Sequence, residues 1–217
     1  MLRKQPKLDE TESLLDQEQL LIEGYRPFIP NFPGVYDSFT PQMARENYAH
    51  FMQDMPDRLA QLRIAMNATG GADIVLDYSD ASLADVGGWF THRVALRTLT
   101  SEEKSRGLVG MPEWFIPLQS DTDLTELSYS LSVDFGIYFG ECMRHAHPQL
   151  RWELLKRPKS NVDINQPVLV PFRATMHLNP IRVALVLARK AIEGISARQE
   201  IIEAKQIWDS YVIEATQ

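Results

Sequence analysis

One stretch constrains this chain more than any other. From Asp123 to Ala146, Leu124, Leu127, Leu131, Phe135, Tyr138 and Cys142 recur at steps of three or four, the period of a helix with one buried face. A second stripe, Ser128, Ser132, Gly136 and Gly140, is small at every fourth position. Small residues along one ridge let neighbouring elements pack closely. The spacing predicts a central helix over about Asp123 to Ala146, ended by Pro148. A chain built around such a helix must supply elements to cover both stripes.

The rest of the sequence supplies them. Thr40-Pro41 reads as an N-cap followed by a first-turn proline. It opens a helix to about Asp54, and Pro56 is expected to kink it or start a second one. Leu59, Leu62 and Met66 continue the apolar face up to Gly70-Gly71. Ile74 to Tyr78 reads as a short strand, and Ser79 as the cap of a helix to about Arg97 whose Gly87-Gly88 invites close approach. Thr100 to Glu103 is a capping box. Residues 150–156 and 167–172 read as strands, with Trp152 and Leu154 on one side of the first. Asn179-Pro180 caps a helix to about Glu193. A capping box at Ser196 and Gln199 opens a last helix, with Ile201, Ala204, Ile207, Trp208 and Tyr211 on its apolar side. The expected class is α+β: mainly helical, with a small sheet of three or four short strands packed on the central helix.

Residues 1–40 form a distinct arm ahead of a single α+β domain over 41–217. Thr11 to Glu23 reads as a short amphipathic helix, and Pro27, Pro30 and Pro33 impose an extended path. Phe28, Phe32 and Tyr36 interleave with these prolines. So apolar a segment is expected to lie in a groove of its own domain or of a partner chain. These three aromatics are the candidate partner-binding residues. Exchange of the arm between chains would make the protein an obligate homo-oligomer.

Several classes are excluded at this level. No run approaches the ~20 apolar residues of a membrane span; Ile181 to Ile192 is short and broken by Arg182, Arg189 and Lys190. Acidic Asp9, Glu10 and Glu12 stand where a signal-peptide core would lie. Cys142 is the only cysteine, which rules out an intramolecular disulfide and disfavours a cysteine-based zinc site. A cytoplasmic location is expected. The 217 residues carry a net charge of −7, unevenly spread. Residues 1–149 hold 12 Lys/Arg against 22 Asp/Glu, and residues 150–217 hold 10 against 7. An acidic body disfavours nucleic acid and favours a cationic partner.

No nucleophile elbow and no glycine-rich phosphate loop is present. Glu141 and His145 stand four apart on one helix face with His147 just beyond, a spacing compatible with a metal or small-ligand site. The same residues read more simply as a helix end favoured by the macrodipole. Asp77, Ser79, Asp80 and Ser82 read as helix-capping groups, and Cys142 as a packing residue. Arg151, Arg157 and Lys159, with Lys156 and the cations of the next helix, form the one basic area and a candidate anion site.

Three fragments carry a family resemblance. Leu76-Asp-Tyr-Ser79 with Ser82-Leu83, the helical Gly136-Ile-Tyr-Phe-Gly-Glu141, and Trp152 in a strand together resemble a pattern in small bacterial α+β proteins, some of them similar to toxin immunity proteins. The resemblance covers about Ile74 to Pro171 and brings no catalytic residues. Taken with the acidic body and the missing catalytic motifs, it leads to the expectation of a non-enzymatic cytosolic binding protein with no cofactor, of the kind that neutralises a toxin by occlusion, the acidic charge suiting a cationic one. The alternatives are a small-ligand or metal-dependent enzyme near Glu141 and His145, and the arm-exchanged oligomer.

Overall fold

The computed structural model describes residues 22–32, 34–107, 120–193 and 197–213. The helix expected over 11–23 and the capping Ser196 lie essentially outside them, as does the 108–119 connection. The described helices are α1 (Pro41–Ala68), α2 (Asp80–Thr91), α3 (Ser101–Gly107), α4 (Glu126–Ala146), α5 (Pro180–Ile192) and α6 (Ala197–Asp209). The strands are β1 (Leu96–Thr98), β2 (Thr122–Leu124), β3 (Arg151–Leu154) and β4 (Pro167–Val170). The fold is mainly helical α+β, as the pattern predicts.

Helix α4 is the axis. Leu131, Phe135, Tyr138 and Cys142 are buried along it, and α1, α2 and α5 pack around it. The small stripe works as a set of contact points. A Cβ at Gly136 would stand 2.6 Å from the Ile181 Cα, so α5 crosses there backbone to backbone. At Gly140 a Cβ would stand 2.4 Å from Trp152 Cζ2, so the indole of β3 lies directly on the helix. Ser128 instead bonds outward, accepting from the Ala95 N–H at 2.8 Å just before β1. At Gly87 the close neighbour is Ile201 of α6.

Among the described residues the strands form two separate antiparallel pairs. β1 pairs with β2 (Arg97 opposite Asp123) and β3 with β4 (Trp152 opposite Leu169). Leu169 also bridges to Leu178, and Phe172 to Val212, which ties the end of the chain to the second pair.

Local signals place most helix starts correctly. Thr40, Ser79, Thr125 and Asn179 each accept a backbone N–H three residues on. The Thr100–Glu103 capping box forms in both directions. Elsewhere the structure corrects the expectation. α1 runs unbroken through Pro56, because that proline is exposed and the carbonyl it leaves without a donor lies on exposed Met52. Residues 74–78 form no strand: Tyr78 sits at φ 63° and Val75 is 65% exposed, and the Ile74 carbonyl accepts from Arg63 rather than from a strand. α2 stops at Thr91, whose hydroxyl, with the His92 ring, contacts the carbonyls of Gly87 and Gly88. Residues 122–124 join β1 rather than the central helix, which starts after the Thr125 cap. In α6, Ile207 is exposed and Lys205 is buried in its stead.

Candidate functional site

Residues 22–32 and 34–39 include the segment that packs against α1 and α4. Tyr25 is its anchor. The Tyr25 hydroxyl donates to Asp134 Oδ2 at 2.6 Å. With that proton committed, the Ser130 hydroxyl is the donor in its 2.6 Å contact with Tyr25. Arg58 meets the same carboxylate in a fork, Nε to Oδ1 and Nη2 to Oδ2, both at 2.6 Å. Its remaining nitrogen, Nη1, donates to the Arg26 carbonyl at 2.7 Å. The Phe28 N–H donates to Ser130 Oγ, and the Arg26 N–H to Gln61 Oε1. Asp134 is fully buried and Arg58 nearly so. Burial pushes the Asp134 carboxyl up, while Arg58 and Tyr25 pull it down; the guanidinium fork and the phenol donor favour its charged form. The same burial raises the Tyr25 phenol. Every buried side-chain polar atom among the described residues is satisfied.

This network holds an apolar ridge at the surface. Ile29 is 79% exposed and Val35 65% exposed. Phe28 and Phe32 are half-buried, as is Tyr36. Phe32 and Tyr36 both pack on buried Phe39 at 5.8 and 5.3 Å between ring centroids, and Phe28 lies 5.9 Å from the Arg58 guanidinium. A cleft of about 640 Å³ runs between residues 26–31 and α1, lined by His50, Asp54 and Asp57 on the helix side. Asp54 pairs with His50 and Asp57 with Arg26.

The Glu141–His145–His147 cluster does not converge. Glu141 accepts the Trp152 Nε1–H at 2.8 Å and receives Arg144 through both oxygens. The His145 ring bonds back to the Glu141 carbonyl and stacks on Tyr78 at 4.1 Å. His147 turns to Asp209 at 2.8 Å. No group of metal-ligating side chains is assembled among the described residues. Cys142 is buried, and burial pushes its thiol up to about 12.

The three fragments quoted for the resemblance meet at one node. Ser82 bonds to the Tyr138 hydroxyl, which also accepts the Tyr78 N–H at 3.2 Å. One turn later Glu141 takes Trp152. Burial raises the Tyr138 phenol, so it serves as a neutral donor and acceptor. Among the basic candidates, Arg151 pairs with Glu153 at 2.6 Å; Arg157 and Lys159 lie exposed in the β3–β4 connection.

Sequence reasoning missed Tyr25, Arg58, Ser130 and Asp134. One signal was present: Asp134 is the only charged residue between Glu126 and Glu141 in α4, and a lone carboxylate on a helix so deeply buried demands a cation. Which cation it takes is not written locally, since Arg58 is 76 positions away. Among the described residues no helix is long and apolar enough to cross a membrane. Compared with protein-family models, curated proteins and solved structures, the chain matches none.

Proposed function

We propose that this is a non-enzymatic, cytosolic bacterial binding protein that occludes a cationic protein partner, in the manner of a toxin-neutralising immunity protein. One observation carries the reading: a buried, fully hydrogen-bonded ion pair is used to hold an apolar segment at the surface. Burying Arg58 and Asp134 costs desolvation, and what the pair fixes is the backbone from Tyr25 to Phe28. Ile29 is thereby presented on a rigid base, which lowers the entropy lost on association. The cleft aspartates beside that apolar ridge are already paired with His50 and Arg26, so the attraction for a cation rests on the wider acidic surface. That surface suits a basic partner and fits the acidic excess of residues 1–149. The side chains first in line for chemistry, Glu141, His145, His147 and Cys142, are engaged with neighbours or buried. That also supports binding over catalysis.

The test is affinity capture from the source cells with wild-type protein and Ile29→Asp. Ile29 is solvent-exposed, so the variant keeps the fold. We expect a stoichiometric protein partner that the variant fails to retain, and whose retention weakens as salt screens the acidic face. Equal retention by Ile29→Asp, or no stoichiometric partner, overturns the proposal.

A further inference from the structure

We infer that the cleft between the β3–β4 connection and the turn after β4 is a binding site for a small oxyanionic ligand, one that carries a phosphate or carboxylate on a compact organic body. No arm residue lines it, although the β3–β4 connection bonds the Tyr36 carbonyl through Asn165, and it does not rest on the protein-binding reading.

Charge is the first observation. Between Glu153 and Glu193 the chain holds Lys156, Arg157, Lys159, Arg173, Arg182, Arg189 and Lys190, and Asp163 is its only acid. Asp163 is already neutralised. It accepts Arg182 Nε at 2.6 Å and Asn179 Nδ2 at 2.8 Å, and contacts the His177 ring at 3.2 Å. Arg189 and Lys190 are likewise paired, with Asp123 and Glu200. Lys156, Arg157, Lys159 and Arg173 have no ion pair among the described residues, and of these four Arg157 lines the cleft. In an otherwise acidic protein, a free guanidinium beside further lysines has no internal counter-charge.

Shape is the second. Arg157 lines a cleft of about 470 Å³ together with Asn161, Thr175 and His177. That volume falls in the range of small-molecule sites and is more than a bare ion needs. Leu155, Pro158 and Met176 give the cleft apolar walls for the remainder of a ligand. The Asn161 side-chain oxygen is occupied, because it accepts the Asp163 N–H at 2.8 Å. Its amide NH2 is therefore the end left to donate. Arg157 lines the same cleft, and a guanidinium and an amide NH2 are the donor types that an oxyanion takes.

Backbone strain is the third. Ala174 and Thr175 occupy consecutive left-handed positions, at φ 51° and 60°. A β-branched residue there is unfavourable, and such strain is held only where the surrounding structure over-determines it. Here it turns the chain sharply after Arg173, and the turned residues form the wall opposite the Arg157 loop.

The experiment is calorimetric titration of the full chain at low salt with inorganic phosphate, glycerol 3-phosphate and succinate. We expect saturable one-site binding that falls at least about tenfold in Arg157→Ala, because a charge-assisted fork is lost. Arg45→Ala, an exposed arginine of α1 outside the cleft, should bind as the wild type does. Tighter binding of glycerol 3-phosphate assigns a phosphate ester, and tighter binding of succinate a carboxylate. Ile29→Asp should leave this titration unchanged, which separates its outcome from that of the arm. Absence of saturable binding by all probes up to about 10 mM, a ceiling that corresponds to a very weak interaction, overturns the inference. So does undiminished affinity in Arg157→Ala.

Discussion

Two arginines show how differently one side chain is used in this molecule. Arg58 lies in a closed setting: each of its hydrogen-bonding nitrogens is matched, its carboxylate partner is buried, and a tyrosine and a serine complete the circuit. Arg157 lies in an open one, exposed on a cleft wall with no ion pair among the described residues. The closed arrangement acts inward and fixes where the segment from Tyr25 sits. The open arrangement keeps its donors for something outside the chain. A cation's function follows from whether its counter-charge is internal.

The sharpest way to break this contrast is to remove one member from each setting. Asp134→Ala strands a buried guanidinium and should cost about 3–5 kcal/mol, or a fall in Tm of roughly 10 °C at this chain length. Arg157→Ala should change stability by less than about 0.5 kcal/mol. Thermal denaturation of the two variants side by side decides it; similar losses would mean that Arg157 is structural. A second closed region, where Trp152 lies on α4, predicts the next largest effect. Gly140→Ala forces a methyl group against the indole and should destabilise by about 1–3 kcal/mol through overpacking, read from urea unfolding with an unchanged slope. Tyr25→Phe keeps the ring but removes the hydroxyl between Ser130 and Asp134. It should cost about 1–3 kcal/mol and increase proteolysis within 22–39.

The smallest expected effect concerns a half-buried pair, Arg97 and Glu103. Arg97 and Thr100 hold the Glu103 carboxyl down at about 2. A carboxyl with a depressed folded-state pKa contributes stability that is present above its unfolded value. That contribution is lost as pH falls from about 4.5 toward 2, because the unfolded chain takes up its proton first. Wild type should therefore exceed Glu103→Gln in stability at pH 6, and the gap should close by about pH 2. A gap that persists in acid would show that charge is not its source.

Much of the helical frame was legible because its signals are local. Thr40, Ser79, Thr100 and Asn179 cap helices where their sequence contexts predict. The stripe at Gly136 and Gly140 foretold close neighbours without naming α5 and Trp152. The candidate site was less legible. Glu141 and His145 do share a helix face, yet their side chains part, because Trp152 and Arg144 claim the first and Tyr78 stacks on the second. The partners that divide them come from other segments.

By itself the sequence determined a central helix with one apolar and one small ridge, most of the helix caps, an apolar arm, and a charge imbalance between its two parts. Each of these depends on residues within a few positions of one another, so the chain carries them before it folds. Only the tertiary structure decided that Pro56 lies within a continuous helix, that Asp134 takes Arg58 and Tyr25, and that Arg157 faces a cleft with His177. Those outcomes turn on which groups lose water together, and that is settled when distant segments meet.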